Sequence, residues 1–383
     1  MGKIFYVLGG EQMADYNSSY TGLQIDTAIG KVIDKTVETS ADKVSFTPGD
    51  STLNSTNVQD ALEELAEKPS GGSSRTHKIV IGVSSAGWTE NDCDYLCNGS
   101  NDKTIIQSAI NTLSYTTGGV LYFLEGTYNF SQLMVSKNNV VFAGDNQKTV
   151  FWCAEPEKYL IYTSEDLIFK DITFHHVEGT KETLSVSGGR LQVLHCKFDA
   201  RSGLDIVSNT GVLLTDSEFN HVQIDNYAGH SVGARVYRCS RTENVSADST
   251  PWLLIGGDDV VVDSCYIDSP HTAIQTTGYN VSIMNNYITN CQYGIMTSGN
   301  VSSYNILNNI IVEYGPYGIY TSGTSNSYMN VSGNYVGMRD TTSYPDGVPM
   351  AIAGERNVIT SNITPGKEIT IMGSRVLIDN NSY

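Results

Sequence analysis

No stretch of this sequence approaches about 18 uncharged apolar residues, so nothing in it is long enough to cross a membrane as a helix. Basic residues are scarce. Against 41 Asp and Glu there are 23 Lys and Arg, a formal net charge of −18, and no basic run occurs. Phosphate binding needs clustered Lys or Arg, so a nucleic-acid partner is excluded. Charged residues are only 17% of the 383 and hydrophobic ones 40%, too little charge and too much apolar surface for a disordered chain. The start, MGKIFYVLGG, is short and lacks a small-residue cleavage site, so no secretory signal is expected. The cysteines number seven, and the closest two, Cys93 and Cys97, have no second pair at zinc spacing. Free, buried or half-buried thiols are therefore expected, with no metal site and no cofactor. The sequons at Asn280, Asn300, Asn330 and Asn362 read as by-products of an Asn- and Ser-rich pattern of strands and turns.

What is present falls into two parts. In the first, Leu23, Ile25, Ala28, Ile29, Val32 and Ile33 follow a mixed helical spacing that predicts a short amphipathic helix. A β-prone patch from Lys43 to Thr47 ends in the turn Pro48-Gly49-Asp50. Val58, Ala61, Leu62 and Leu65 then form one apolar stripe on a helix that Thr56 or Asn57 can cap. A helix of about three turns is marginal alone in water, so that stripe needs a partner. Pro69 to Ser74 reads as a flexible linker.

The second part repeats. Cys196, Ser217, Cys239, Cys265, Asn286, Asn309, Asn334 and Asn362 occupy the same place in eight similar segments. Their spacing, by subtraction, is roughly 21 to 28 residues, the range of a solenoid coil. Apolar residues alternate within each segment, and stacked Asn can hydrogen-bond to their equivalents above and below. A second short strand of the form Gly-Ile-x-x-x-Gly recurs at Gly294 and Gly318, where turns that need positive φ are expected. Asp102 or Asn101 caps a predicted helix with the stripe Ile105, Ile106, Ala109, Ile110 and Leu113, suited to cover the open first coil. The strands are expected to begin near Gly118 and run almost to Asn380, with the last residues folding back to cover the final coil.

Asn101-Asp102-Lys103-Thr104, Ile106 to Ile110, Gly118-Gly119 and Glu125 to Tyr128 resemble the opening motif of the pectate-lyase-like superfamily of right-handed parallel β-helices; Glu125 departs from its usual proline neighbourhood. The resemblance covers about residues 98–380 and implies an all-β fold, a right-handed parallel β-helix (solenoid) with an N-terminal capping helix. The fold hosts lyases, hydrolases, epimerases and inert spikes, so it does not choose a chemistry. Gly22 to Val32 and Ser55 to Leu65 resemble segments of phage tail and head-fibre proteins, where such a helix sits in a trimeric attachment region. The organisation expected is a virion attachment region over 1–54, a trimerising helix over 55–69, a linker over 70–76 and a β-helix over 77–383.

What these resemblances imply is a phage tail spike or tail-fibre protein: a receptor-binding homotrimer held to a tail or baseplate protein through its N-terminus and contacting host surface polysaccharide. The alternative is a depolymerase, a glycoside hydrolase or lyase acting on capsule or cell-wall glycan. Hydrolysis needs a proton donor and a second carboxylate. Asp205 and Asp225 lie about one coil apart and both follow an apolar residue, so they are the candidate carboxylate pair, with Arg235 or His230 to bind sugar acids. Asp258-Asp259 resembles the paired aspartates of polygalacturonases, but without that family's partner motifs it reads as a turn pair. His175-His176 reads as a strand end. Tyrosines, Tyr293 and Tyr317 among them, crowd the last third of the chain, where they suit sugar stacking or, better, a subunit interface.

Overall fold

The computed structural model describes residues 78–383 apart from 178–182, 199–202, 208–210, 226–232, 242–250, 299–301, 323–327 and 339–345. The chain divides into two compact units, Met1–Arg75 and Thr76–Tyr383. The helices and linker expected in residues 20–74 lie outside the described residues.

The second unit is a parallel β-helix, and one coil shows its plan. Val261–Asp263, Tyr266–Asp268 and Thr272–Thr276 follow one another along the chain. Each pairs in parallel with its counterpart on the next coil: Val261 with Ser282, Tyr266 with Tyr287, Ile274 with Ile295. Repetition gives three ladders. The first is a sheet of 14 strands, and the second and third join into a sheet of 20. Sequence alternation becomes burial: in Leu191–Leu194, Leu191 and Val193 are buried while Gln192 and Leu194 are half-buried. Inward positions stack into columns. On the second ladder Tyr128, Phe151, Phe174, Phe198 and Phe219 share one column. The Phe174 and Phe198 rings lie 4.5 Å apart at 15°, and Phe198 and Phe219 lie 4.8 Å apart at 26°. The core is therefore continuous along the coils rather than central.

The first ladder starts earlier than the expected Gly118. Lys78–Val83 buries Ile79, Ile81 and Val83 and pairs in parallel with Gly119–Phe123. A helix does form at Lys103–Thr112 and buries Ile106, Ala109 and Ile110 in the common core. Asp102, however, does not cap it. Asp102 has helical backbone angles, and its carboxylate accepts from the backbone N–H groups of Asn98 (2.9 Å), Gly99 (3.0 Å) and Asn129 (2.8 Å). The fully buried side chain braces the preceding loop to the second ladder.

The repeat register is as the sequence indicates, with Cys196, Ser217, Cys239, Cys265, Asn286, Asn309, Asn334 and Asn362 at equivalent positions two residues beyond paired first-ladder strands. The Asn286, Asn309 and Asn334 amides donate to the side-chain oxygens of Asn309, Asn334 and Asn362 at 2.9, 3.0 and 2.9 Å. Asn362 continues the chain to Asn381 at 3.0 Å. Six cysteines are buried and Cys93 is half-buried, all as free thiols; burial pushes Cys196 and Cys291 up to about 12.

The turns differ from expectation. Gly294 and Gly318 sit inside the strands Cys291–Thr297 and Ile310–Thr321 and do not carry positive φ; the motif's closing glycines, Gly299 and Gly323, lie outside the described residues. They are there for closeness, since a Cβ on Gly318 would lie 2.3 Å from Val336 Cγ1 and 2.7 Å from the Pro349 carbonyl. Positive φ falls instead on the residue before each stacked Cys, Ser or Asn. His195, Asp216, Arg238, Ser264, Asn285 and Asn308 have φ between 47° and 58°. Asp and Asn tolerate this region because their short polar side chains bond locally. The row also makes side-chain bonds: His195 Nδ1 lies 2.7 Å from the Asp171 carboxylate, and Arg238 donates twice to Asp216 at 2.7 Å, which holds the Asp216 carboxyl below its usual range.

The C-terminal residues do pair onto the coil before them, as expected, but they form one more parallel coil and not a separate cover. Thr370–Ile371 and Leu377–Asp379 pair onto Ala351-Ile352 and Val358–Thr360 as one more coil. Ile378 stands beside the buried Ile359 and is 47% exposed. Among the described residues, Leu377–Asp379 is the last strand of its sheet and pairs on one side only.

Candidate functional site

The residues singled out from sequence are spread over different faces. Asp205 pairs with Gln223 on the third ladder, and Asp225 pairs with Val207. The two carboxylate positions are thus offset by two residues on adjacent coils, not opposed in register. Arg235 lies on the first ladder, where its guanidinium donates to the carbonyls of Ala234 (2.9 Å) and Asp259 (2.8 Å). It therefore does not join the aspartates. His230 lies outside the described residues. Asp258 and Asp259 are turn residues: their carboxylates accept from the Tyr279 backbone (2.8 Å) and the Asn280 amide (2.5 Å). His175 stacks on Trp152 of the neighbouring coil at 4.0 Å, and His176 is buried.

Tyr293 and Tyr317 do come together. They pair on adjacent coils of the third ladder with rings 5.9 Å apart at 18°, and Tyr320 lies 4.6 Å from Tyr317. All three are half-buried.

A second aromatic pair is more open. On the second ladder the triplets Tyr266-Ile267-Asp268, Tyr287-Ile288-Thr289 and Ile310-Ile311-Val312 stand on three successive coils. Strand alternation turns the central isoleucines inward, where all are fully buried, and the flanking residues outward. Tyr266 and Tyr287 are 51% and 40% exposed, with rings 5.5 Å apart and only 4° from parallel. Ile310, Tyr335 and Ile363 extend the same exposed column. Beside the tyrosines is an open groove of about 490 Å³ lined by Tyr266, Asp268, Tyr287, Thr289, Asn290, Val312 and Glu313.

Its polar groups are held from the middle coil. Asn290 donates to the Asp268 carboxylate at 3.2 Å, and the Thr289 hydroxyl donates to Glu313 at 3.3 Å. Asn290 and Glu313 have φ of 55° and 53°, which places them at the corner between second and third ladders. The groove therefore offers a flat apolar platform, two carboxylates and an amide. That is a pattern suited to a sugar ring, whose faces are apolar and whose edge carries hydroxyls. Sequence reasoning missed Tyr266, Asp268, Asn290 and Glu313. The available signal was that Tyr266, Tyr287 and Tyr335 each directly follow a stacked Cys or Asn.

A family described as right handed beta helix region matches residues 160–336. No curated protein matches the chain. Among solved structures, tailspike protein 3 of bacteriophage CBA120 is 11% identical with a TM-score of 0.50, covering 96% of this chain and 70% of its own. The A-module of the Azotobacter vinelandii mannuronan C-5 epimerase AlgE6 is 14% identical with a TM-score of 0.47, covering 79% and 99%. The Streptococcus pneumoniae surface protein and adhesin PfbA is 12% identical with a TM-score of 0.49, covering 80% and 97%. At such identities a likeness speaks of fold. The fold is a right-handed parallel β-helix.

Proposed function

We propose that this chain is a phage tail spike or tail-fibre receptor-binding protein, located on the virion tail, that attaches to host surface glycans through the groove beside Tyr266 and Tyr287. The observation that carries the reading is that open, parallel tyrosine pair with hydrogen-bonding groups along its edge. The phage-like segments of the first 70 residues support it, and a tailspike has the same fold. In this reading residues 1–54 attach to a tail or baseplate protein, the helix over 103–112 caps the first coil, and the molecule is a homotrimer. Replacing Tyr266 and Tyr287 together by alanine is expected to weaken binding to host cells or purified surface polysaccharide at least tenfold, because each ring supplies about 1 kcal/mol or more of stacking. Melting should change little, since both rings face outward. Unchanged adsorption by the double variant would falsify the groove as the receptor site.

Oligomeric state is checked by light scattering of the full chain at micromolar concentration. Three copies are expected, with Val58, Leu62 and Leu65 facing the axis, and a monomer would overturn the assembly. If residues 1–70 are deleted and trimers persist, the main interface lies on the β-helix flanks instead.

A second reading, a polysaccharide depolymerase, is favoured by Asp268 and Glu313. They line the same groove two coils apart, Glu313 one residue out of register with Asp268, and a hydrolase needs two carboxylates across one site. On that reading they take the roles the sequence suggested for Asp205 and Asp225, because they share a groove with a sugar platform. New reducing ends or unsaturated sugars after incubation with host capsule would establish it.

A further inference from the structure

Arg241 stands where an apolar side chain belongs. The inward column of the second ladder runs Phe198, Phe219, Arg241, Ile267, Ile288, Ile311, one residue per coil. Every other member of that series is fully buried and apolar. Burial lowers the affinity of the Arg241 guanidinium for its proton, and the nearby Asp268 opposes this. No salt bridge to Arg241 occurs among the described residues. Among the described residues its Nη1 donates only to the backbone carbonyl of Asp268, at 3.4 Å, and its buried Nε has no partner. The next residue after Asp268, Ser269, is fully buried, and its hydroxyl too is without a partner among the described residues.

A guanidinium stays charged in proteins, and a charge removed from water is costly unless paired. An isoleucine at this position would continue the column without that cost. The arginine is only half-buried although it belongs to the inward column, and its guanidinium reaches the backbone of Asp268, whose side chain lines the groove. We infer that Arg241 is an anion-recognition residue of this groove: it receives a carboxylate or sulfate substituent of a glycan whose neighbouring rings lie on Tyr266 and Tyr287. The inference rests on the groove being a glycan site and adds the ligand class, an acidic polysaccharide. Asp268 and Glu313 would repel an acid group elsewhere in the groove, so the acidic sugar sits at the arginine end and neutral sugar edges meet the carboxylates.

The test uses the full chain, Arg241→Met and the double Tyr266→Ala/Tyr287→Ala variant. Binding is measured by calorimetry for a galacturonate hexamer, for the same hexamer after carboxyl reduction, and for inorganic sulfate alone. The wild type should bind the acidic hexamer about tenfold or more tighter than the reduced one, a preference that weakens with added salt. Arg241→Met should bind both alike, while the tyrosine variant should lose both. Sulfate binding lost in Arg241→Met shows that the anion alone is recognised. In the absence of ligand, Arg241→Met should raise Tm by about 2 °C or more, because methionine suits the column. A fall in Tm would make the arginine structural and overturn the proposal. Equal binding of both hexamers to the wild type, abolished by the tyrosine changes, would overturn the acidic ligand and keep the glycan groove. No binding of either hexamer or of sulfate overturns the acidic-ligand reading, and unchanged host adsorption by the tyrosine variant overturns the groove as well.

Discussion

Asn309→Ala should destabilise the β-helix by about 3–5 kcal/mol, the largest single loss expected from one side chain in the stack. Asn309 sits between two neighbours. Its amide donates to the Ile283 carbonyl (3.0 Å) and to Asn334 (3.0 Å), and its oxygen accepts from the Asn286 backbone (3.1 Å) and side chain (2.9 Å). All of these groups are buried. Alanine would leave two buried donors of Asn286 without their acceptor, each costing about 1–3 kcal/mol, and would remove the bonds of the Asn309 amide to Ile283 and Asn334. Asn309→Ser should cost less, because Ser217 already serves the same column by accepting from the Cys196 N–H at 3.0 Å. Urea unfolding followed by circular dichroism measures both. A loss below about 1 kcal/mol for the alanine variant would show that the amide ladder contributes little beyond register.

The second large effect is expected at Asp102. Asp102→Asn keeps the shape but supplies only one acceptor oxygen where three backbone N–H groups converge on two. Whichever way the amide turns, an N–H faces an N–H, and the charge assistance is lost. A loss of about 2–4 kcal/mol is therefore expected. An ordinary helix cap would lose only about 1 kcal/mol on replacement. The magnitude thus separates the brace seen in the structure from the cap expected from sequence. Hydrogen exchange at the Asn129 amide gives an independent reading, since it should quicken in the variant if the brace is broken. Protection of that amide at the wild-type level would count against the brace.

Periodicity was legible without a structure because it is chemical as well as spatial. Small polar residues at one phase, alternating apolar positions around them and a coil length near two dozen residues leave a parallel solenoid as the arrangement that satisfies all three. Cys196, Asn286 and Asn334 could be aligned by eye for that reason. The turn row was hidden. His195, Asp216 and Arg238 have no common side-chain chemistry, so the shared left-handed backbone was not visible in their letters. Gly318 misled in the opposite sense, since its lack of a Cβ serves close approach to Val336 rather than a turn.

Composition, phase and alternation alone determined that this chain has a stacked β architecture with an Asn spine, and that tyrosine is concentrated in its last third. Only the tertiary structure decided which tyrosines face water, that Asp205 and Arg235 lie on different ladders, and that Asp268 and Glu313 share a groove. The physical reason is that a loop of variable length between strands shifts register and face by amounts that sequence spacing does not encode. Each coil's in-or-out assignment is set by pairing with its neighbours. Arg241 shows this most clearly: in the sequence it is one arginine among several, and only the column of phenylalanine and isoleucine around it makes its charge conspicuous.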